Sequence, residues 1–293
     1  MIEYIGIDIG GTNIKIGAID ESENIVYTYK EPTYKNVIIA EDLYTKIVNL
    51  IKEIPNYEQA KAIGIGAPGG IDRRVEQVIT SKNVSILNNY PLVEKLKKDF
   101  NKPAYIENDA RVAAFAEAVK GKGKNKNIVC YITISTGLGG GVVINKNIYH
   151  VSSNLGAYFS RMILDGKYTS DELISGTAIT RKAREKINVN IKDTLEVFSL
   201  EEQGNVVAVE IINEFKKNLK VLLLNIASTI NPDIIVLGGG VMKAKERFLN
   251  EVIQNFRNEA HPFVKDTLID VAEFEEPGVM GAALFAKNEK NFM

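Results

Sequence analysis

The feature that most constrains this 293-residue chain is a pattern that occurs twice. Tyr4–Asp8 is rich in β-formers, Gly10-Gly11 supplies a tight turn, and Ile14–Ile19 alternates apolar with small or polar residues, which predicts strand, turn, strand. The glycine- and lysine-rich stretch 121–127 is the clearest compositional break. Directly after it the pattern restarts: a strand over Ile128–Ile134, a glycine turn over Gly137–Gly141 and a strand over Val142–Ile144. A chain of this length also exceeds the usual size of a single core. The expectation is two related α/β lobes, residues 1–118 and 119–293, with the final helix free to pack back on the first.

Other periodicities fill in the halves. Strands are expected at Ile25–Tyr29, Ala62–Ala67, Ala104–Ile106 and Ile234–Leu237. Apolar residues at helical spacing predict helices over Val37–Ile51, Leu92–Phe100, Asp109–Val119 and roughly Asn205–Thr229, with Asp109 at or near the N-cap of the third. Composition narrows the class. At 45% hydrophobic and 25% charged residues the chain is average for a globular protein, which excludes disorder and collagen-like repeats. A net charge of −1 argues against a broad basic surface for nucleic acid. One cysteine, Cys130, excludes an internal disulfide framework and points to a reducing, cytoplasmic setting. With only His150 and His261 beside it, soft ligands are too few for an ordinary structural zinc site. The N-terminus has no basic stretch followed by an apolar run, and the longest apolar run, Val221–Ala227, is too short to span a bilayer. No membrane partner is expected.

Three glycine-rich segments carry the chemistry. Asp8-Ile9-Gly10-Gly11-Thr12 places a carboxylate at a strand end and two glycines in the turn after it, where backbone N–H groups can approach phosphate oxygens. Thr12 and Asn13 add side-chain donors, and Asp8 suits Mg²⁺ held through water. An ordinary hairpin turn needs glycines too. The second segment is Ser135-Thr136-Gly137-Leu138-Gly139-Gly140-Gly141, where four glycines exceed what a plain turn requires. The third, Gly238-Gly239-Gly240-Val241, would let a base or ribose lie against the chain, with a strand-to-helix turn as the competing reading. Glu107-Asn108-Asp109-Ala110-Arg111 supplies the catalytic candidate. A carboxylate at a helix start is most often a cap, but a sugar hydroxyl attacking ATP needs such a group to orient it and accept its proton. Gly64-Ile65-Gly66-Ala67-Pro68-Gly69 matches the dinucleotide fingerprint literally, yet Pro68 and Gly70 oppose the helix that must follow. No Walker signature is present.

In this order the motifs resemble the ROK family (repressor, open reading frame, kinase), over nearly the whole chain. Asp8–Thr12 resembles its first phosphate motif, Gly66–Asp72 its sugar-side loop, and Asn83 the asparagine that follows. Asn108-Asp109 resembles the sugar-binding and catalytic pair, Ser135–Gly141 the second phosphate motif, and Asn231-Pro232-Asp233 through Gly240-Val241-Met242 the adenosine motif. The resemblance implies the actin-like, hexokinase-like ATPase fold, α/β in class, with two lobes around a central cleft. It implies a phosphotransferase that moves phosphate from ATP, with Mg²⁺, to the 6-hydroxyl of a hexose or N-acetylhexosamine, Asp109 acting as base. The phosphate and nucleotide contacts so implied are Gly6, Ile7, Asp8, Ile9, Gly10, Gly11, Thr12, Asn13, Ser135, Thr136, Gly137, Leu138, Gly139, Gly140, Gly141, Gly238, Gly239, Gly240 and Val241. The sugar contacts are Gly69, Gly70, Asn83, Asn108, Asp109, Asn154, Tyr158, Arg161 and Glu172. A homodimer is also implied.

The departures from the family are confined to one region. Members usually carry Gly-Glu-Ile-Gly-His, whose Glu grips sugar hydroxyls and whose His binds sugar and zinc. The counterpart here is Ala157-Tyr158-Phe159-Ser160-Arg161, or, in a shifted pairing, one with Asn154 at the Glu. The family's cysteine-rich zinc stretch is replaced by the cysteine-free Gly166–Glu172, in which Asp171 or Glu172 stands for its final carboxylate. Arg111 sits where the family often has Asn. No zinc is therefore expected, and packing or hydrogen bonds from Arg161 must hold the Asn154–Glu172 segment. Losing a carboxylate near C1 and C2 removes contacts that discriminate strongly between sugars. This favours a sugar substituted there, N-acetylmannosamine first, with glucose and β-glucosides open. A repressor would place a helix-turn-helix domain ahead of the strand that here begins at Tyr4, and none is expected. A non-catalytic sugar or nucleotide sensor is favoured by the altered Tyr158–Arg161 segment and opposed by the intact Asp8, Asp109 and glycine turns.

Overall fold

Isoleucines at alternate positions of the first strand set the architecture, because each must be covered on its own face. The computed structural model describes residues 1–150 and 158–291. The chain forms two units. The first holds residues 1–120, 147–150 and 276–291 of those described, the second 121–146 and 158–275. The first unit opens with strands β1 (Ile2–Ile9), β2 (Asn13–Asp20) and β3 (Ile25–Pro32), then helix α1 (Ala40–Lys52). It continues through β4 (Ala62–Ala67), the short hairpin β5 (Gly70–Asp72) and β6 (Gln77–Thr80), α2 (Leu92–Phe100), β7 (Ala104–Asn108) and α3 (Asp109–Val119). Its sheet runs β3-β2-β1-β4-β7, antiparallel among the first three and parallel from β1 through β7. Ile5, Ile7, Ile9, Ile14 and Ile16 are buried together with Leu43, Ile47, Leu50 and Ile51 of α1. The latter helix begins at Ala40, not Val37: Ile39 is extended, and Asp42 reaches back to accept from the Ile38 and Ile39 N–H groups at 2.9 and 3.0 Å. No helix follows the dinucleotide-like glycines of β4, where the β5–β6 hairpin stands instead.

The second unit repeats the opening as β8 (Ile128–Ile134) and β9 (Leu138–Ile144). A two-residue strand, β10 (Asn147–Ile148), belongs to the first unit. Then come α4 (Ser170–Ile174), α5 (Gly176–Lys186), α6 (Thr194–Glu202), the 25-residue α7 (Val206–Ile230), β11 (Ile234–Gly238), α8 (Leu249–Glu259) and β12 (Leu268–Val271). Four of its strands are ordered β9-β8-β11-β12. Asn205 caps α7 through the Ala208 N–H at 3.0 Å, and Asn231 ends it in the left-handed conformation at φ 49°. The rings of Phe198, Phe215 and Phe248 meet with centroids 5.1 to 6.1 Å apart and anchor the core, each burying a side chain worth roughly 1.5–3 kcal/mol.

The last helix, α9 (Pro277–Asn291), returns to the first unit. It lies against β1, β4 and α3 so closely that a Cβ at Gly6 would come within 2.1 Å of the Val279 carbonyl oxygen, and one at Gly64 within 1.8 Å of that of Ala282. Among the described residues no helix is long and apolar enough to cross a membrane.

Candidate active site

In the first unit the β1–β2 turn, the β4–β5 turn and the β7–α3 junction carry the residues singled out by sequence. Register puts Asp8 directly opposite Lys15, and Lys15 opposite Lys30, so three charges form a row across three strands. Lys15 Nζ lies 3.9 Å from Asp8 Oδ2 and 3.0 Å from Glu276 Oε1, which is also 3.6 Å from Lys30. Burial, then the Asp109 charge, push the Asp8 carboxyl up to about 6; Lys15 opposes this and Glu276 adds to it. Gly278, at the start of α9, lies against this carboxylate: a Cβ there would stand 2.3 Å from it. Beyond Asp8 the turn is closed by the Gly10 N–H donating to the Asn13 carbonyl at 2.9 Å. The fully buried Thr33 locks it from behind, with Oγ1 donating to the Gly10 carbonyl at 2.6 Å and its N–H to the Thr12 carbonyl at 2.9 Å. Asn83, expected on the sugar side, sits with its Cβ against Gly11, where an added Cβ would be 3.1 Å away.

The β7–α3 junction sets Asp109 next to the N-cap, as the sequence leads one to expect. Asn108, not Asp109, is the N-cap: its Oδ1 accepts from the Ala110 and Arg111 N–H groups at 3.0 and 3.3 Å. Its Nδ2 donates to the Gly69 carbonyl at 3.1 Å, so the same side chain ties α3 to the turn before β5. Gly69 takes φ 107°, a region L side chains rarely adopt, and Gly70 begins the β5 strand. Asp109 is the first helical residue, and its Oδ1 accepts from the Ala110 N–H at 2.8 Å. Burial raises its carboxyl above the ordinary range against the pull of that hydrogen bond. Beneath it Glu107 is wholly buried; burial raises its carboxyl, but the His150 hydrogen bond and the Arg111 charge outweigh this and hold it low. Gly6, Ile7 and the Ile9 side chain, expected at the phosphates, are packed inside β1 under α9 and among the core isoleucines, which narrows the first turn to Asp8–Asn13.

In the second unit the glycine turn is shorter than its sequence suggests. Only Ser135, Thr136 and Gly137 are in it. Leu138, Gly139, Gly140 and Gly141 belong to β9, paired in register with Ile134, Thr133, Ile132 and Tyr131. Gly140 is glycine for a packing reason: a Cβ would fall 2.4 Å from the Tyr131 carbonyl oxygen and 2.6 Å from the Phe159 ring. The turn docks on the start of α5, where the Gly176 N–H donates to the Ser135 carbonyl at 2.8 Å and the Thr177 N–H to that of Thr136 at 3.2 Å. Asp171 Oδ1 accepts from the Leu138 N–H at 2.6 Å, so of the two neighbouring carboxylates it is Asp171 that meets the glycine turn. Glu172 instead closes a capping box on α4 with Thr169, at 2.9 and 2.7 Å. Tyr158 and Arg161 are exposed, and Asn154 lies outside the described residues. Among the described residues the segment is held by Phe159 packing and by Ser170, whose hydroxyl donates to the Phe159 carbonyl and whose N–H donates to that of Met162 at 2.7 Å. Gly238 is covered by the Tyr131 hydroxyl, Gly239 turns at φ 92°, and Val241 is buried, while a Cβ at Gly240 would stand in ordinary contact with the Ser135 hydroxyl at 3.7 Å. Among the described residues no three His, Cys, Asp or Glu side chains come together as metal ligands.

Sequence reasoning missed Lys15, Thr33 and Glu276. The strand alternation around Lys15 signals its place; the other two are brought in by chain returns that leave no local pattern.

Comparison with known proteins places this arrangement. The family model described as ROK family matches residues 4–158 and 166–289. The glucokinase of Halalkalibacterium halodurans is 29% identical over 99% of this chain and 96% of its own. The N-acetylmannosamine kinase of Vibrio cholerae is 31% identical over 86% of this chain and 89% of its own. Among solved structures, a ROK family glucokinase from Streptomyces griseus in complex with glucose and AMPPNP superposes with a TM-score of 0.82 at 26% identity, covering 98% of this chain and 100% of its own.

Proposed function

The chain belongs to the ROK family, and from that premise we propose that it is an ATP-dependent sugar kinase acting on the 6-hydroxyl of a hexose or N-acetylhexosamine. The observation that carries the reading is Asp109, a half-buried carboxyl raised above its ordinary range at the first position of α3, beside an Asn108 tied to Gly69. A base for a sugar hydroxyl must be within reach of it and have a pKa nearer neutrality than a solvated carboxylate. Asn108 and the Gly69-Gly70 turn orient the sugar. The Gly10–Asn13 turn receives phosphate oxygens on backbone N–H groups, and the Ser135–Gly137 turn, set at the start of α5, does so in its own unit. Asp8 fits Mg²⁺, because its half-buried charge is opposed by Asp109 and Glu276 and, among the described residues, countered by Lys15. When bound, the ion would draw charge off the transferring phosphate. The loop over 158–172 needs no zinc in this reading, since Phe159 and Ser170 hold it.

N-acetylmannosamine is the first candidate substrate, because Tyr158 and Arg161 replace the acidic and histidine contacts that family members use near C1 and C2. Glucose is second, supported by the glucokinase relatives. An ADP-release assay across N-acetylmannosamine, N-acetylglucosamine, glucose, mannose and β-glucosides tests both. Asp109→Asn is expected to lower sugar-dependent turnover about 10²–10⁴-fold. Absence of turnover with every sugar refutes the kinase reading, and undiminished turnover in Asp109→Asn refutes the base. Activity lost to a chelator and restored by zinc alone, not magnesium, refutes the zinc-free site.

A further inference from the structure

A cluster of ionisable groups beside the β7–α3 junction has no task in the reaction described so far. One oxygen of the buried Glu107 accepts from the Asn108 N–H at 2.7 Å and from Arg111 Nη1 at 3.2 Å. The other meets His150 Nε2 at 2.7 Å and lies 3.9 Å from Arg73 Nε. The second ring nitrogen, Nδ1 of His150, is 2.9 Å from Arg73 Nη1. A guanidinium only donates, so Nδ1 is the bare, accepting nitrogen and the proton resides on Nε2, directed at Glu107. The imidazole is thus a neutral link between a cation and an anion. Arg73 is anchored further by Glu289 at 2.7 Å and by the Phe285 ring at 5.9 Å. It directly follows β5, and the turn before β5 is the one that Asn108 holds through Gly69. Glu107 therefore grips both sides of the candidate sugar site: Asn108 directly, and the Gly69–Asp72 turn through His150 and Arg73.

We propose that Glu107, His150 and Arg73 form a proton-sensitive positioning network that fixes the Gly69–Asp72 turn against Asn108-Asp109. A second proton on His150 turns Nδ1 into a donor facing another donor, and sets two positive charges against each other. The Arg73 contact then opens, the turn loosens and sugar affinity falls in acid. Among the described residues the charged groups facing the ring are Glu107 from β7, Arg73 from the β5–β6 turn and Glu289 from α9, which shares a cavity wall with it; Arg111 of α3 acts through Glu107. A cavity of about 170 Å³, lined by Asn147, Ile148, His150, Phe285, Asn288 and Glu289, gives water access to the ring.

The kinetic consequence rests on the sugar-kinase reading, but the network itself is testable without it. The chain has two histidines, so ¹⁵N ring spectra contain only His150 and His261, and His261→Gln assigns them. Near neutral pH, His150 is expected as the Nε2–H tautomer; an Nδ1–H form or an averaged mixture overturns the network. With the sugar that best supports turnover, His150→Ala is expected to raise the sugar KM about tenfold with kcat changed less than about twofold. His150→Gln, which accepts and donates but takes no proton, should recover most of that loss. Wild-type sugar KM should climb at least about fivefold as the solution is made acid, while that of His150→Gln stays flat. Parallel profiles for the two proteins overturn the proposal, as does a sugar KM unmoved by His150→Ala. Should no sugar be turned over, the kinase reading fails and the tautomer still decides the network.

Discussion

Replacing Lys15 by methionine removes a charge that favours ionised Asp8. Two unit charges 3.9 Å apart attract by about 1 kcal/mol in bulk water and about 4 kcal/mol at an effective dielectric near 20. With the two side chains 17% and 20% exposed, the pair lies between those limits. Taking about 2 kcal/mol, the Asp8 carboxyl moves up by about 1.5 pH units. From a starting value of about 6, the ionised fraction near pH 7 falls from about nine-tenths to about one-quarter. If ionised Asp8 is needed to hold Mg²⁺, kcat/KM for the magnesium nucleotide drops about fourfold near pH 7 and recovers by about pH 9. Glu276→Gln makes the opposite change: it removes a charge that raises Asp8, so the acid limb moves to lower pH. Asp109, raised by its own burial, contributes a limb common to all three proteins. The assay is kcat/KM from about pH 5 to about pH 9 for wild type, Lys15→Met and Glu276→Gln. Limbs that stay together, or that shift in the same direction, would refute the electrostatic reasoning even if activity is lost.

The same carboxylate has a stability consequence. Its folded pKa of about 6 lies above the unfolded 3.8, so folding is penalised as pH rises through that interval, by about 3 kcal/mol once ionisation is complete. Asp8→Asn should therefore raise the urea midpoint near pH 7 and leave it unchanged below about pH 3, where the carboxyl is neutral in both the folded and the unfolded state; a lowered midpoint at pH 7 contradicts this. Thr33→Val strips the half-buried Gly10 carbonyl of its 2.6 Å donor, which should cost about 1 kcal/mol in urea titration and raise the nucleotide KM more than the sugar KM. Gly140→Ala should destabilise by about 1–3 kcal/mol or more because its Cβ meets a carbonyl oxygen, and Phe159→Ala in the same chain should fail to rescue it.

What was legible depended on whether the cause lay close in sequence. The β1–β2 hairpin, α7 and the Asn231-Pro232 stop could be read because alternation, helical spacing and turn residues act within a few positions. The β5–β6 hairpin was not, since strands of three and four residues show too little periodicity. Gly139–Gly141 looked like a turn because a glycine's reason can be tertiary; the Phe159 ring across from Gly140 is invisible to its neighbours in sequence. Asp109 was legible as a helix-start carboxylate, but its raised pKa and the cap role of Asn108 required the Gly69 turn and the surrounding burial. The row Asp8–Lys15–Glu276 joins residues at opposite ends of the chain, and no local pattern announces it.

The return of α9 to the first unit also has a temporal meaning. During synthesis β1, β4 and α3 emerge early, yet the helix that covers Gly6 and Gly64 is made last. The intervening unit can complete its own core while the first still shows the ribosome-side solvent a bare sheet face. Folding of the first unit is thus obliged to be discontinuous, and the glycines that admit α9 keep that waiting face narrow and poor in apolar side chains until the helix arrives.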